Sequence, residues 1–310
     1  MTSKVSVIVP SYNHYDFLTE RLDSIFNQSY TDFEVIIIDD LSTDSSKDIL
    51  LKYAEHPKVK HFILNESNSG SGYQSWLKGI NMADSEYVWI AETDDVNELS
   101  FLEQTVQILD NNKDLALVFT ASNYINKEGE FLYNTDNRMK DLGVNDGDYK
   151  IFGNDIFLNK LPLSPYITNA SAVVFRKPTS IPSQIFSFKQ MSDLFLWRYL
   201  VEDKKIAFLN KKLNHFRRHE SSTTFLNYTA NKSMIYDEFV EFANYFKCSK
   251  TIKVAIVKEY LYNFILTKLN KKGIFYLGPM KKLQQISRTK LRFLYLKFLL
   301  QLLILKLKKI

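Results

Sequence analysis

Three carboxylates fall within four residues at Glu92, Asp94 and Asp95, interrupted only by Thr93. Acids this close repel one another unless a cation sits among them or they face water. The cluster directly follows residues 87–91, YVWIA, a short apolar run rich in β-branched and aromatic side chains, as in a buried parallel strand. In open α/β sheets, ligands collect beyond the carboxyl ends of the strands. Composition and place therefore suit a divalent cation that holds a diphosphate. The competing reading is a solvated acidic turn that caps the next helix.

A site of that kind needs other strands ending at the same edge. Residues 4–10 (KVSVIVP) read as a first strand ending in Pro10-Ser11-Tyr12-Asn13, followed by helical spacing of Phe17, Leu18, Leu22, Ile25 and Phe26. Residues 33–38 read as a second strand that runs into Asp39 and Asp40, with Ser42-Thr43-Asp44 as helix caps. Residues 59–64 give a third strand, followed by the loop NESNSGSG and a helix from about 73 to 82. This β-α-β-α-β-α-β series predicts a parallel sheet with helices on its faces. Right-handed crossovers bring SYNH, DDLS, ESNSG and ETDD to one edge. The pooled acids, amides, hydroxyls and aromatic ring suit a nucleotide.

Two common phosphate cradles are missing. Pro-Ser-Tyr-Asn stands where a dinucleotide fold needs G-x-G-x-x-G, and no G-x-x-x-x-G-K-[ST] loop occurs. A bound phosphate must then be neutralised by metal and basic side chains. In the second half, strands are expected at 115–124 and 131–133, joined by a hairpin at Lys127–Glu130, and at 170–175, 205–209 and 212–216. Residues 134–165 read as a long surface loop with short helical pieces, and Met191-Ser192-Asp193 opens a helix.

The chain has 310 residues, enough for a large core, and its only cysteine, Cys248, excludes an intrachain disulfide and fits a reducing compartment. The amino-terminal apolar stretch is too short for a signal-peptide core, so a cytoplasmic location is expected. The net charge of +5 is uneven: twelve Lys or Arg follow the last acid, Glu259, leaving 28 basic against 35 acidic residues before them. An acidic body with a basic tail predicts two surfaces with different partners.

In order, VSVIVPSYN, FEVIIIDDLSTDSS, NSGSGYQSWLKGINMADSEY, WIAETDDV, MSDLFLWR and FRRHESSTT resemble the family 2 glycosyltransferases of the GT-A fold, over roughly residues 4–224. The resemblance implies an α/β GT-A domain over 1–224, with a nucleotide-binding half (1–110) and an acceptor-binding half (111–224), and a helical extension over 225–310. It implies an inverting transfer from a nucleoside-diphosphate-sugar, with a UDP-sugar expected, to a glycan or lipid-linked acceptor in bacterial surface polysaccharide synthesis. The implied cofactor is Mn²⁺ or Mg²⁺. Pro10, Tyr12 and Asn13 match the base pocket, Asp40 the acceptor of a base N–H, and Asp39 its neighbour towards the ribose. Asp95 matches the direct metal ligand, Asp94 a contact nearer ribose or diphosphate, and Glu92 stands where many relatives have Asp. Asp193 matches the catalytic base, with Ser192 where many relatives have Glu. Arg217, Arg218 and His219 match a basic motif over the diphosphate, with His219 as a second metal ligand. The loop from Asn68 to Gly72 matches a nucleotide contact, whereas Trp76 reads as core and Lys78 as solvated.

Residues 288–310, RTKLRFLYLKFLLQLLILKLKKI, have no uncharged run near the ~20 residues that span a bilayer. Their mix of Leu, Phe and Ile with Lys and Arg suits a helix on an anionic membrane surface, making the protein peripheral; packing on the body or in a homo-oligomer contact is the alternative. Nucleic acid is not an expected partner, because the apolar run has no role there. Two other functions compete: an inactive nucleotide-binding or membrane-attached protein, and a sugar nucleotidyltransferase, which would want a glycine-rich, Arg-containing loop after the first strand.

Overall fold

The computed structural model describes residues 2–220, 222 and 234–260. The expected alternation is present: β1 (Val5–Ser11), α1 (Tyr15–Phe26), β2 (Phe33–Asp39), α2 (Ser46–Ala54), β3 (Val59–Leu64), α3 (Gly72–Met82) and β4 (Tyr87–Ile90). There follow β5 (Val96–Asn97), α4 (Phe101–Asn111), β6 (Leu115–Ile125), β7 (Phe131–Asn134), α5 (Asp136–Met139), β8 (Tyr149–Phe152), α6 (Asn154–Leu158), β9 (Val173–Arg176), α7 (Ser192–Leu200) and β10 (Lys205–Arg217). Among the described residues ten strands form one sheet in the order β3-β2-β1-β4-β9-β6-β10-β5, with β7 on β6 and β8 on β10. Strands β3, β2, β1 and β4 are mutually parallel, β10 runs parallel to β6, and β9 lies antiparallel between β4 and β6.

Strands β1, β2 and β4 are buried throughout because helices cover both faces. Val5, Val7, Val9, Val35, Ile37 and Trp89 share one core with Leu18, Leu22 and Ile25 of α1 and Phe101, Leu102 and Val106 of α4. On the other face α3 presses so closely on β1 that a Cβ at Gly79 would stand 2.5 Å from Ile8 Cγ2. Glycine is the residue that permits this approach.

Three local expectations are corrected. The two short strands expected at 205–209 and 212–216 are one thirteen-residue strand, β10, whose register on β6 shifts between Leu209 and Lys212. The stretch 134–165 contains a strand, β8, held antiparallel to the first half of β10. Of the expected strand 170–175, the first part, Ala170–Ala172, is a 3-10 turn.

Met1–Leu161 and Pro165–Ser222 make up one compact unit. Of the second unit, the described residues are Pro162–Ser164 and 234–260, which hold helices α8 (Met234–Tyr245) and α9 (Lys250–Tyr260). In α8, Val240, Phe242 and Ala243 are buried, as are Ile256 and Val257 in α9. The amphipathic tail 288–310 lies outside the described residues. No helix among the described residues is long and apolar enough to cross a membrane.

Candidate active site

The carboxyl ends of β1, β2 and β4 meet at one edge, as parallel strands must. After β1 the backbone turns through Asn13 in the left-handed region (φ 54°), and after β2 through Leu41 (φ 64°). Thr43 N donates to Asn13 Oδ1 (2.7 Å), and Asn13 N donates to Ser42 Oγ (3.0 Å). His14 N donates to Ser46 Oγ (3.2 Å), and Tyr15 N to Asp44 Oδ2 (3.0 Å). The two loops are thereby knitted together. Tyr12 is exposed at this edge, whereas Pro10 is buried in β1 opposite Ile38.

Asp39 and Asp40 both accept from loop groups at this edge. Asp39 accepts from Ser42 N (2.9 Å) and Ser42 Oγ (2.5 Å), closing the turn after β2. Asp40 accepts from Asn65 Nδ2 (2.7 Å), Ser69 N (3.0 Å) and Ser69 Oγ (2.7 Å), so both of its oxygens hold the glycine-serine loop. Asn13 likewise spends its side-chain carbonyl on Thr43. These three residues shape the loops. Lys78 is exposed as expected, and its Nζ donates to Asn65 of the same loop (2.8 Å).

Beyond β4 the side chains alternate between two environments. Asp95 is buried; it accepts from Asn169 Nδ2 (2.8 Å) and Ser171 Oγ (2.6 Å) through Oδ2, and from Arg217 N (3.1 Å) through Oδ1. All three of these partners are protein groups. Asp94 faces the other way. His219 Nε2 lies 3.0 Å from Asp94 Oδ2, and ligand atoms of His14, Asp94 and His219 all lie within 4.8 Å of one another. That is the one such grouping of three His, Cys, Asp or Glu among the described residues.

Strand β10 delivers the basic residues because its carboxyl end, parallel to β6 and paired antiparallel with β5, reaches the same edge. Arg217 is buried and grips protein groups. Its Nε donates to Asp94 O (2.9 Å), Nη1 to the carbonyls of Asn126 (3.2 Å) and Lys127 (2.8 Å), and Nη2 to Glu20 Oε2 (2.6 Å). Arg217 thus clamps the acidic loop to the turn after β6 and to α1. Arg218 is exposed and lies over the Phe216 ring.

The electrostatics follow from burial and crowding. Glu92 accepts from Trp76 Nε1 (2.6 Å), and burial followed by the charges of Asp94 and Asp95 pushes its carboxyl up to about 8. Burial, then Asp94, raises Asp95 to about 7. For Asp94 burial also acts upward, but the His219 hydrogen bond and the fields of His14 and His219 outweigh it, so the group is held below the usual range. Burial lowers His14, which favours the neutral imidazole. Beneath the cluster, the fully buried Arg21 donates to Asn97 Oδ1 (2.6 Å) and Ser171 Oγ (3.4 Å) and stacks over Trp89.

Asp193 lies half-buried in the first turn of α7. That helix is tied towards the β4 end through aromatic contacts, with Trp197 of α7 near Trp76 (ring centroids 6.4 Å) and Trp76 bonded to Glu92. Sequence reasoning missed Arg21, Ser171, Asn169 and His14. Arg21 had a signal: it falls on the apolar stripe of α1 between Leu18 and Leu22, where a charge must find partners inside.

A mixed sheet of this order with an acidic strand-end motif defines a GT-A type of α/β protein, and known proteins agree. Among solved structures, S. aureus TarS 1–349 in complex with UDP aligns with TM-score 0.63 at 18% identity, covering 93% of this chain and 82% of that one. The same protein in complex with UDP-GlcNAc aligns with TM-score 0.64 at 19% identity, covering 91% and 79%. The Glycosyl transferase family 2 model matches residues 6–180, and the chain belongs to that family. GlyG, a glycosyltransferase of Streptococcus pneumoniae serotype 4, is 25% identical over 239 residues, 72% of this chain and 73% of GlyG. TuaG of Bacillus subtilis, a putative teichuronic acid biosynthesis glycosyltransferase, is 33% identical over 125 residues, 40% of this chain and 49% of TuaG. The chain thus spans about three quarters of the first relative and half of the second.

Proposed function

We propose that this glycosyltransferase moves a sugar, with inversion, from a UDP-sugar to a growing bacterial surface glycan, using a divalent cation held at Asp94 and His219. The observation that carries the reading is Asp94, just past β4 and inside the region matched by the family, with Nε2 of His219, which follows β10, 3.0 Å from its Oδ2. Supporting it, TuaG is named for teichuronic acid synthesis, and TarS binds UDP and UDP-GlcNAc. The donor pair fits a cation: one carboxylate oxygen and one imidazole, crowded among acids that lack enough positive partners. A bound divalent ion supplies neutralisation of the diphosphate leaving group.

The chain's own residues do the rest. Tyr12, exposed at the strand end, offers a ring for the base, and the loop held by Asp40 borders it. Arg218, exposed beside His219, offers a guanidinium to the diphosphate. Asp193 takes the proton from the acceptor hydroxyl as that oxygen attacks the anomeric carbon opposite the leaving diphosphate. One base suffices for inversion. The basic tail 288–310 serves to hold the enzyme at an anionic membrane surface, and its deletion should release the protein from the membrane fraction.

The test is donor hydrolysis and transfer with Mn²⁺ or Mg²⁺. Asp94→Ala should lose at least about 100-fold in turnover. Asp193→Asn should lose transfer by about 10²–10⁴-fold while keeping donor affinity. UDP-sugar binding without turnover on any acceptor would instead favour an inactive binding protein.

A further inference from the structure

His14 has no part in that reading, yet it stands in the cluster with Asp94 and His219. Its ring is fixed from two sides. Phe17 contacts both imidazoles, with ring centroids 6.0 Å from His14 and 4.8 Å from His219, and the two imidazoles lie 5.9 Å apart. On the other side His14 Nδ1 lies 2.6 Å from the hydroxyl of Thr93, a fully buried residue.

That hydroxyl decides which nitrogen can bind a metal. Thr93 has one proton, and it donates to the carbonyl of Pro10 (3.2 Å), which can only accept. The contact with His14 must then be Nδ1–H donating to Thr93 Oγ1. The neutral ring carries its proton on Nδ1, and Nε2 is left with a lone pair. A hydrogen bond of this sort behind a histidine is how metal sites set tautomer and ring direction. The 3.0 Å separation of His219 Nε2 and Asp94 Oδ2 also matches two ligands at right angles, each about 2.1 Å from one ion.

We propose that His14, oriented by Thr93, completes with Asp94 and His219 a two-histidine, one-carboxylate site that takes a first-row transition ion before the nucleotide arrives. The inference rests on the reading of this edge as a cation site and adds which ion and when. Magnesium prefers oxygen ligands and keeps its waters, and manganese leans the same way, whereas imidazole nitrogen suits the later first-row ions from iron to zinc. Three protein ligands also remove the need for a diphosphate to complete the binding set. In this site His14 is a ligand and Thr93 a positioning residue.

The experiment uses the full chain, stripped of metal and free of nucleotide. Co²⁺ is followed by its visible absorption, Mn²⁺ by loss of the free-ion magnetic resonance signal, and Mg²⁺ by competition. One equivalent of Co²⁺ should bind, at least about tenfold tighter than Mn²⁺, with Mg²⁺ the weakest competitor. His14→Gln should weaken Co²⁺ binding by at least about tenfold, and Thr93→Val by about 10–100-fold, while Thr93→Ser restores it. Circular dichroism of each variant excludes misfolding as the cause. Absence of Co²⁺ binding without nucleotide overturns the proposal, as does equal affinity in His14→Gln or a Thr93→Ser as weak as Thr93→Val. UDP binding with Mn²⁺ in the same samples separates the two readings. If it persists when the nucleotide-free site fails, only the present proposal falls; if no cation supports UDP binding, the donor reading falls with it.

Discussion

The two ends of β4 both carry acids, and their surroundings give them opposite characters. At the amino end Glu86 accepts from Lys4 (2.8 Å) and from Arg176, with Lys113 at 3.7 Å and Asp110 sharing Lys4. The Lys4 hydrogen bond, acting against burial, brings Glu86 down to about 2. At the carboxyl end Glu92 rises to about 8 and Asp95 to about 7, because burial and neighbouring carboxylates outweigh the cations present. One end is a neutralised, partly solvated network that joins the sheet to its loops. The other has been left short of positive charge, which is the condition for attracting a cation from solution.

The comparison can be broken most severely at Arg21, the buried cation beneath the acidic end. Arg21→Met should cost about 3–5 kcal/mol in denaturant unfolding, because Asn97 Oδ1 loses its donor and the acids above lose a counter-charge. A smaller and opposite effect is expected at Glu92. Its carboxyl is neutral in both states well below pH 4.5; between there and about 8 the unfolded chain ionises it while the folded chain resists. Its contribution to stability is therefore lost as pH rises through 8. Glu92→Gln, which can still accept from Trp76, should gain about 1–2 kcal/mol at pH 9 and nothing at pH 4, well short of the full shift because the group is half-buried. The smallest effect belongs to Glu86, whose side chain is 37% exposed. With its group lowered from 4.5 to about 2, the stabilisation is present above 4.5 and fades as pH falls through 2. Glu86→Gln should cost under about 1 kcal/mol at pH 7 and less in acid. Melting curves across pH on the two glutamine variants should move in opposite directions. Movement in the same direction would erase the distinction between the strand's ends.

The alternating first half was legible because each strand is a short apolar run and each helix shows 3.6-residue spacing, so β1 to β4 fell close to their expected bounds. Strand β8 was not, since Tyr149 and Lys150 are exposed and its only strong claim to order is pairing with β10. The same non-local pairing turned two expected short strands into one. At the site, residue types identified the edge and the acidic motif, but not which way each acid faces. Asp94 and Asp95 are adjacent, and only the alternation of the backbone after β4 sends one to the histidines and the other to Ser171 and Asn169. The partners of Asp39 and Asp40 were illegible for a similar reason, because the donors bonded to them, Ser42, Asn65 and Ser69, lie in loops whose paths no periodicity encodes.

The knitting of the first two loops has a further consequence. Asn13 and Leu41 hold backbone angles that most residues avoid, and the bonds with Ser42, Thr43 and Asp44 keep Asn13 there. The entropy of fixing these segments is lost when the chain folds, so the donor proposed above would meet a rim already in shape and cost little more of the protein's freedom on contact.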